Sequence, residues 1–242
     1  MLIEICCNSV HSAFNAQQGK ADRIELCQNL NEGGTTPSYA TIRCCTQKLK
    51  MNTFVLIRPR AGNFVYSDLE YNSMKEDVLL CKELKVNGIV IGFLQDDFSI
   101  DTKKTSEIVQ LAYPMEVTFH RAFDICHDWK LAINELVDCG CQRILTSGLA
   151  INVIEGMSLL KKIKQFAENK IQIMAVCGVN SKNLAEIAKE TGIREFHSSA
   201  KKIREIDTSD KIFPDISFHQ YSETDLFEVE KLKKIALNFN LL

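Results

Sequence analysis

With 242 residues, 45% hydrophobic and 25% charged, the chain has the composition of a folded protein with a substantial core. Its 29 Lys and Arg nearly balance 31 Asp and Glu, and the formal net charge of -2 gives no reason to expect nucleic acid as a partner. Four prolines and 11 glycines are too few for a linker-rich chain, and no apolar run reaches the ~18 residues that a membrane span requires.

The amino terminus, MLIEICCNSVHSAF, carries Glu4 inside a short apolar run with no basic segment before it, so it does not read as a signal peptide. The expectation is a cytoplasmic protein whose ten cysteines are mostly reduced thiols. Cys6-Cys7, Cys44-Cys45 and Cys139-x-Cys141 lack zinc spacing, and no C-x-x-C pair exists. Most of these cysteines suit the role of a small buried hydrophobe.

In chain order, the first β-prone run is residues 2–6, followed by Asn8-Ser9 as a helix N-cap and by Val10, Ala13 and Phe14 on one helical face. Residues 23–27 form the second run. Residues 53–57 form the third, which leads to the helical stripe Met74, Val78, Cys81 and Leu84. Runs 89–92, 116–120 and 143–146 follow, the last succeeded by Ile151, Ile154, Leu160, Ile163 and Ala167 at helical spacing. Runs 171–176 and 195–197 complete eight, and a last helix carries Leu226, Val229, Leu232, Ala236 and Phe239. Residues 200–223 are polar and without clear period, and His11, His127 and His219 read as surface residues.

Strict alternation of strand and helix demands a parallel sheet, and eight units at ~250 residues predict an α/β fold, the TIM (β/α)8 barrel. The expected organisation is one barrel domain over residues 1–242, with a divergent segment after residue 200. An open doubly wound sheet is the competing architecture, but no G-x-G-x-x-G follows the first strand.

Ile3-Glu4-Ile5-Cys6 and Ile24-Glu25-Leu26-Cys27 are near copies, 21 residues apart. With a side-chain period of two, the aliphatic residues share the face toward the helices, so Glu4, Cys6, Glu25 and Cys27 point into the barrel. Cys6 and Cys27 then lie at adjacent strand ends, about 5 Å apart if the registers match. Other strand ends deliver Arg58 and Arg60, His120 and Arg121, Thr146-Ser147-Gly148, Gly178 and Asn180, and His197-Ser198-Ser199 to the mouth where barrel sites are built. Arg58 is the expected counter-ion of the buried carboxylates. The bland alternative, strongest for the deep Glu4, is an internal salt-bridge layer that sets barrel register.

Several stretches resemble the CutC copper homeostasis family: Glu4-Ile5-Cys6, residues 21–27, residues 32–38, Ile57-Arg58-Pro59-Arg60, Tyr66-Ser67-Asp68, residues 117–124, residues 145–148 and residues 195–200. The resemblance spans about residues 1–200 and implies a TIM barrel, a cytoplasmic location, copper handling and a homo-oligomer, dimer or tetramer. It points to Cys6 and Cys27 as the metal cysteines. The chain departs from the family at Cys177, where a glycine-rich turn is expected, and in its tail after Ala200.

Two functions fit these residues. The first is Cu(I) binding by Cys6 and Cys27, with Arg58, Arg60 or Arg121 lowering the thiol pKa. The second is an enzyme on a small phosphorylated or carboxylated substrate. In it, Arg58, Arg60, Arg121, Ser147, Gly178, Ser198 and Ser199 hold the anion, while Glu25 and His120 act as base and acid with Arg58 beside them. Glu4, Glu25, His120 and His197 could instead hold a divalent metal such as Mn or Zn. No lysine ends a strand, which argues against a Schiff base.

Overall fold

In the computed structural model, which describes residues 1–205 and 220–239, the eight β-prone runs become eight parallel strands closed into a TIM barrel. They are β1 (Leu2–Cys7), β2 (Arg23–Leu26), β3 (Thr53–Leu56), β4 (Gly88–Ile91), β5 (Glu116–Phe119), β6 (Arg143–Thr146), β7 (Gln172–Ala175) and β8 (Glu195–Ser198). The barrel closes where β1 pairs with β8, Glu4 lying beside His197. Helices α1 (Val10–Gln18), α2 (Tyr39–Arg43), α3 (Asp68–Glu83), α4 (Thr102–Ala112), α5 (Trp129–Asp138), α6 (Met157–Ala167), α7 (Leu184–Thr191) and α8 (Leu226–Phe239) surround it. None of the described helices is long and apolar enough to cross a membrane.

The period-two pattern separates two cores. Ile3, Ile5, Ile24 and Leu26 face outward and pack with Met74, Val78, Cys81 and Leu84 behind α3 and with the other helix faces. Cys6, Cys27, Phe54, Leu56 and Val90 pack inside the barrel. Burying the outward aliphatic side chains contributes about 1.5–3 kcal/mol each, which fixes strand orientation, because a one-residue slip would turn every glutamate toward the helices.

Helix starts follow capping chemistry. Ser9 caps α1 by accepting from Ser12 N–H, and Ser67 with Glu70 forms a complete capping box on α3. After β6 the helix begins at Met157, later than its apolar spacing predicts. Asn152 Oδ1 accepts from the N–H groups of Ile154 and Glu155, a local turn that replaces helical bonds. Ile151 is consequently 82% exposed. Phe14 is also largely exposed, so only Val10 and Ala13 of its stripe reach the core.

The stretch without period contains β9 (Lys201–Glu205) and β10 (Gln220–Thr224), which pair antiparallel. They dock on α1 through Thr224 N–H to Ser12 Oγ and Asn15 Nδ2 to Thr224 O. His219 lies outside the described residues. α8 packs on β1, α1 and α7 and completes the helical ring.

Candidate functional site

The barrel floor is ionic. Glu4 accepts from Arg23 Nε at 2.5 Å and meets His197 Nδ1 at 2.7 Å. Arg23 also reaches Glu195 at 3.5 Å, and Glu195 pairs with Arg143, which reaches Glu116 at 3.1 Å. The Phe54 ring lies against both guanidinium groups, 4.3 Å from Arg23 Cζ and 5.6 Å from Arg143 Cζ. Burial pushes the Glu4 pKa upward, but Arg23 and His197 outweigh it and hold the carboxyl at about 2. The buried counter-ion is therefore Arg23 and not Arg58. The strand stagger explains this, because Glu4 lies opposite Arg23 and Cys6 opposite Glu25, two residues out of step with the sequence repeat.

Above the floor, Cys6 and Cys27 bring their sulfurs to 3.6 Å despite that stagger. Both are buried. The hydrogen bond from Cys27, together with burial, raises the Cys6 thiol well above its ordinary pKa. No arginine offsets the rise at Cys6, contrary to the sequence expectation. Arg58 donates to the carbonyls of Glu32, Gly34 and Gly62, Arg60 pairs with Glu70, and Arg121 pairs with Asp124. Gly34 makes the first arrangement feasible: its φ is +89°, and a Cβ there would lie 2.7 Å from Leu56 Cδ2.

Beside the thiols, Glu25 Oε2 is buried without a hydrogen-bond partner, 3.8 Å from His197 Nδ1. Burial raises the Glu25 pKa to about 7 against the opposing pull of His197. Burial also works against charging His197, but Glu25 and Glu4 outweigh it and its pKa rises. Cys6, Glu25 and His197 each offer a ligand atom within 4.8 Å of the others, the one such cluster among the described residues. Glu4 and His120 are not part of it. The four-residue set for a hard divalent metal is therefore not assembled, because Glu4 is consumed by the ionic floor.

All of this opens into a cavity of about 330 Å³ whose lining includes Cys6, Glu25, Arg58, His120, Arg121, Gly178, His197, Ser198 and Ser199. His120 Nδ1 accepts from Ala122 N–H at 3.0 Å, so the neutral ring carries its proton on Nε2, which is buried and unpartnered. Burial and the Arg58 charge hold His120 neutral, with its pKa lowered to about 3. The ring lies on Gly92, where a Cβ would come within 2.2 Å of His120 Cε1. Gly92→Ala should therefore displace the imidazole and destabilise the fold by about 1–3 kcal/mol, measurable as a lowered urea midpoint.

Several donors of the loops after the late strands are already engaged. Asp124 accepts from Thr146 Oγ1, from both the N–H and the hydroxyl of Ser147, and from Leu149 N–H. Ser147 therefore turns to Asp124 and does not line the cavity. Glu228 takes both the N–H and hydroxyl of Ser181, and Ser198 donates to Val179 O. Arg60, bound to Glu70, lies outside the cavity lining as well.

Residues 1–202 match the model of the CutC family. The chain belongs to the CutC family. A family protein CutC of Parabacteroides distasonis is 45% identical over 205 residues, covering 84% of each chain. The human protein named copper homeostasis protein cutC homolog is 40% identical over 244 residues, 98% of this chain and 89% of that one. The solved structure of a Streptococcus agalactiae CutC superimposes with a TM-score of 0.79 at 36% identity, covering 82% of this chain and 98% of that one. Cys177, where the resemblance implies a glycine-rich turn, adopts φ +68°, a conformation that favours glycine, and lines the cavity. Arg23, Arg143 and Glu195 build the ionic floor and Asp124 organises the loop after β6, yet sequence reasoning assigned them no role. Arg23 was detectable: it shares the inward period-two face with Glu25 and Cys27.

Proposed function

We propose that this CutC protein acts in copper homeostasis in the cytoplasm by holding Cu(I) between Cys6 and Cys27. The observation that carries this reading is the 3.6 Å approach of two buried thiols at the edge of an open cavity. Two thiolates suit a soft monovalent ion, whereas the Glu25 carboxylate is a hard ligand and His197 is held toward its charged form by Glu25 and Glu4. With metal–sulfur bonds of about 2.3 Å, as in thiolate-zinc centres, a linear site needs sulfurs about 4.6 Å apart, so this pair suits a bent site or opens by about 1 Å. The partner is the copper ion itself, with no nucleic acid or membrane involved, and the working assembly is a homo-oligomer of a single-domain barrel.

Competition with a chromogenic Cu(I) chelator tests this. One equivalent should bind, and the Cys6→Ser/Cys27→Ser double variant should bind at least about a hundredfold more weakly. An unchanged affinity in that variant would sink the reading. Because Cu(I) must displace the protons of both thiols, affinity should rise by up to about a hundredfold per pH unit near neutrality. The same titrations at pH 6, 7 and 8 check the slope, and a flat profile would show that Cys6 is not a ligand.

A further inference from the structure

We propose that the side of the mouth formed by the ends of β3 and β5 binds a small organic carboxylate, seated between Arg58 and His120. The copper site does not enter this proposal, which stands on polar groups that the fold leaves unmatched. The two arginines buried in the barrel floor, Arg23 and Arg143, are each paired with carboxylates. Arg58 is equally buried, at 5% exposure, yet among the described residues no carboxylate lies within 4.0 Å of its guanidinium. Its hydrogen bonds go to backbone carbonyls, the neutral Tyr66 hydroxyl and Phe64 ring lie beside it, and its Nε–H has no acceptor. A buried cation compensated only by neutral dipoles is unfavourable, and an anionic ligand removes the deficit.

The second unmatched donor belongs to a residue that lines the same cavity. His120 presents a buried Nε2–H with no acceptor, and Ala122 N–H fixes that tautomer through Nδ1. Phe64 bridges the two groups, its ring 4.7 Å from the imidazole and 5.3 Å from Arg58 Cζ. One cationic and one neutral donor side by side match the two oxygens of a carboxylate. Leu30, Leu56, Leu145 and Val176 supply apolar parts of the cavity wall and suit an apolar body. At about 330 Å³ the space lies at the low end for small-molecule sites, so the ligand is compact.

A phosphate fits less well. On the loops after β7 and β8, where barrels of this kind usually seat phosphate, Glu228 already takes the N–H and hydroxyl of Ser181, and Ser198 donates to Val179 O. A dianion there would meet the carboxylates of Asp225 and Glu228.

Acetate, pyruvate and benzoate titrated into wild-type protein at constant ionic strength test the proposal. The readouts are the histidine side-chain ¹H–¹⁵N correlations and the melting temperature. Acetamide, benzamide and inorganic phosphate serve as controls. At least one carboxylate should shift the His120 Nε2 signal saturably and raise the melting temperature, with the controls at least about tenfold weaker. Arg58→Gln and His120→Phe should each weaken that binding by at least about tenfold. Arg58 also ties three backbone segments, so the wild-type His120 signal decides the outcome should that variant not fold. The proposal is overturned by a wild-type protein with no saturable carboxylate response, by amide or phosphate binding as well as carboxylate, or by full binding in the folded His120→Phe variant.

Discussion

Replacing Arg23 with alanine should destabilise the barrel by about 3–5 kcal/mol, a large share of the stability of an ordinary domain. The substitution leaves Glu4, 1% exposed, with His197 as its remaining partner, and it uncovers the face of Phe54 that the guanidinium stacks on. Most of the loss arises from the stranded carboxylate and not from the bond itself. The double variant Arg23→Met/Glu4→Gln should therefore recover a substantial part of the loss, and urea denaturation of the three proteins measures the difference. The pH dependence carries its own sign. Glu4 has a folded pKa of about 2, below the ordinary carboxyl value, so its stabilisation is present above about pH 4.5 and lost as pH falls toward 2. The gap between wild type and Arg23→Ala should narrow over that window. A gap that stays constant would mean that lost packing, and not the ion pair, accounts for the effect.

The fold was legible because its signals are periodic. Eight short runs alternating with helical stripes leave few topologies, and β1 and β2 repeat the same inward-outward pattern. What escaped was the register between strands, which sequence does not encode locally. A two-residue stagger moved the partner of Glu4 from Arg58 to Arg23, and it set Cys6 beside Glu25. The arginines at strand ends illustrate a second limit. Arg58, Arg60 and Arg121 are alike in sequence, but loop geometry gives them backbone carbonyls, Glu70 and Asp124 respectively. Whether a donor is free depends on loops whose course follows turn residues, as at Gly34, and not on spacing. Ser147 shows the same effect: its hydroxyl stands where an anion would bind, and the chain supplies the anion itself.

Glu25→Gln should stabilise the protein on the alkaline side, by on the order of 3 kcal/mol at pH 8, with little change at pH 5. The folded-state pKa of Glu25 is raised to about 7 from an ordinary value near 4.5. A group held protonated by the fold contributes stability that is present below its unfolded pKa and lost as pH rises through the folded one. His197, whose pKa is also raised, adds to the same trend. Wild-type stability should therefore fall between about pH 5 and pH 8, and the variant should flatten that slope, read from urea midpoints at several pH values. Parallel curves for the two proteins would place the titration elsewhere. The glutamine retains an acceptor at the cavity wall but no charge, so Glu25→Gln separates packing from ionisation. A carboxyl that weakens its own fold above neutrality, next to a thiol pair and an open cavity, is kept against the direction of stability. Stability deficits of this kind cluster, across proteins, at functional sites.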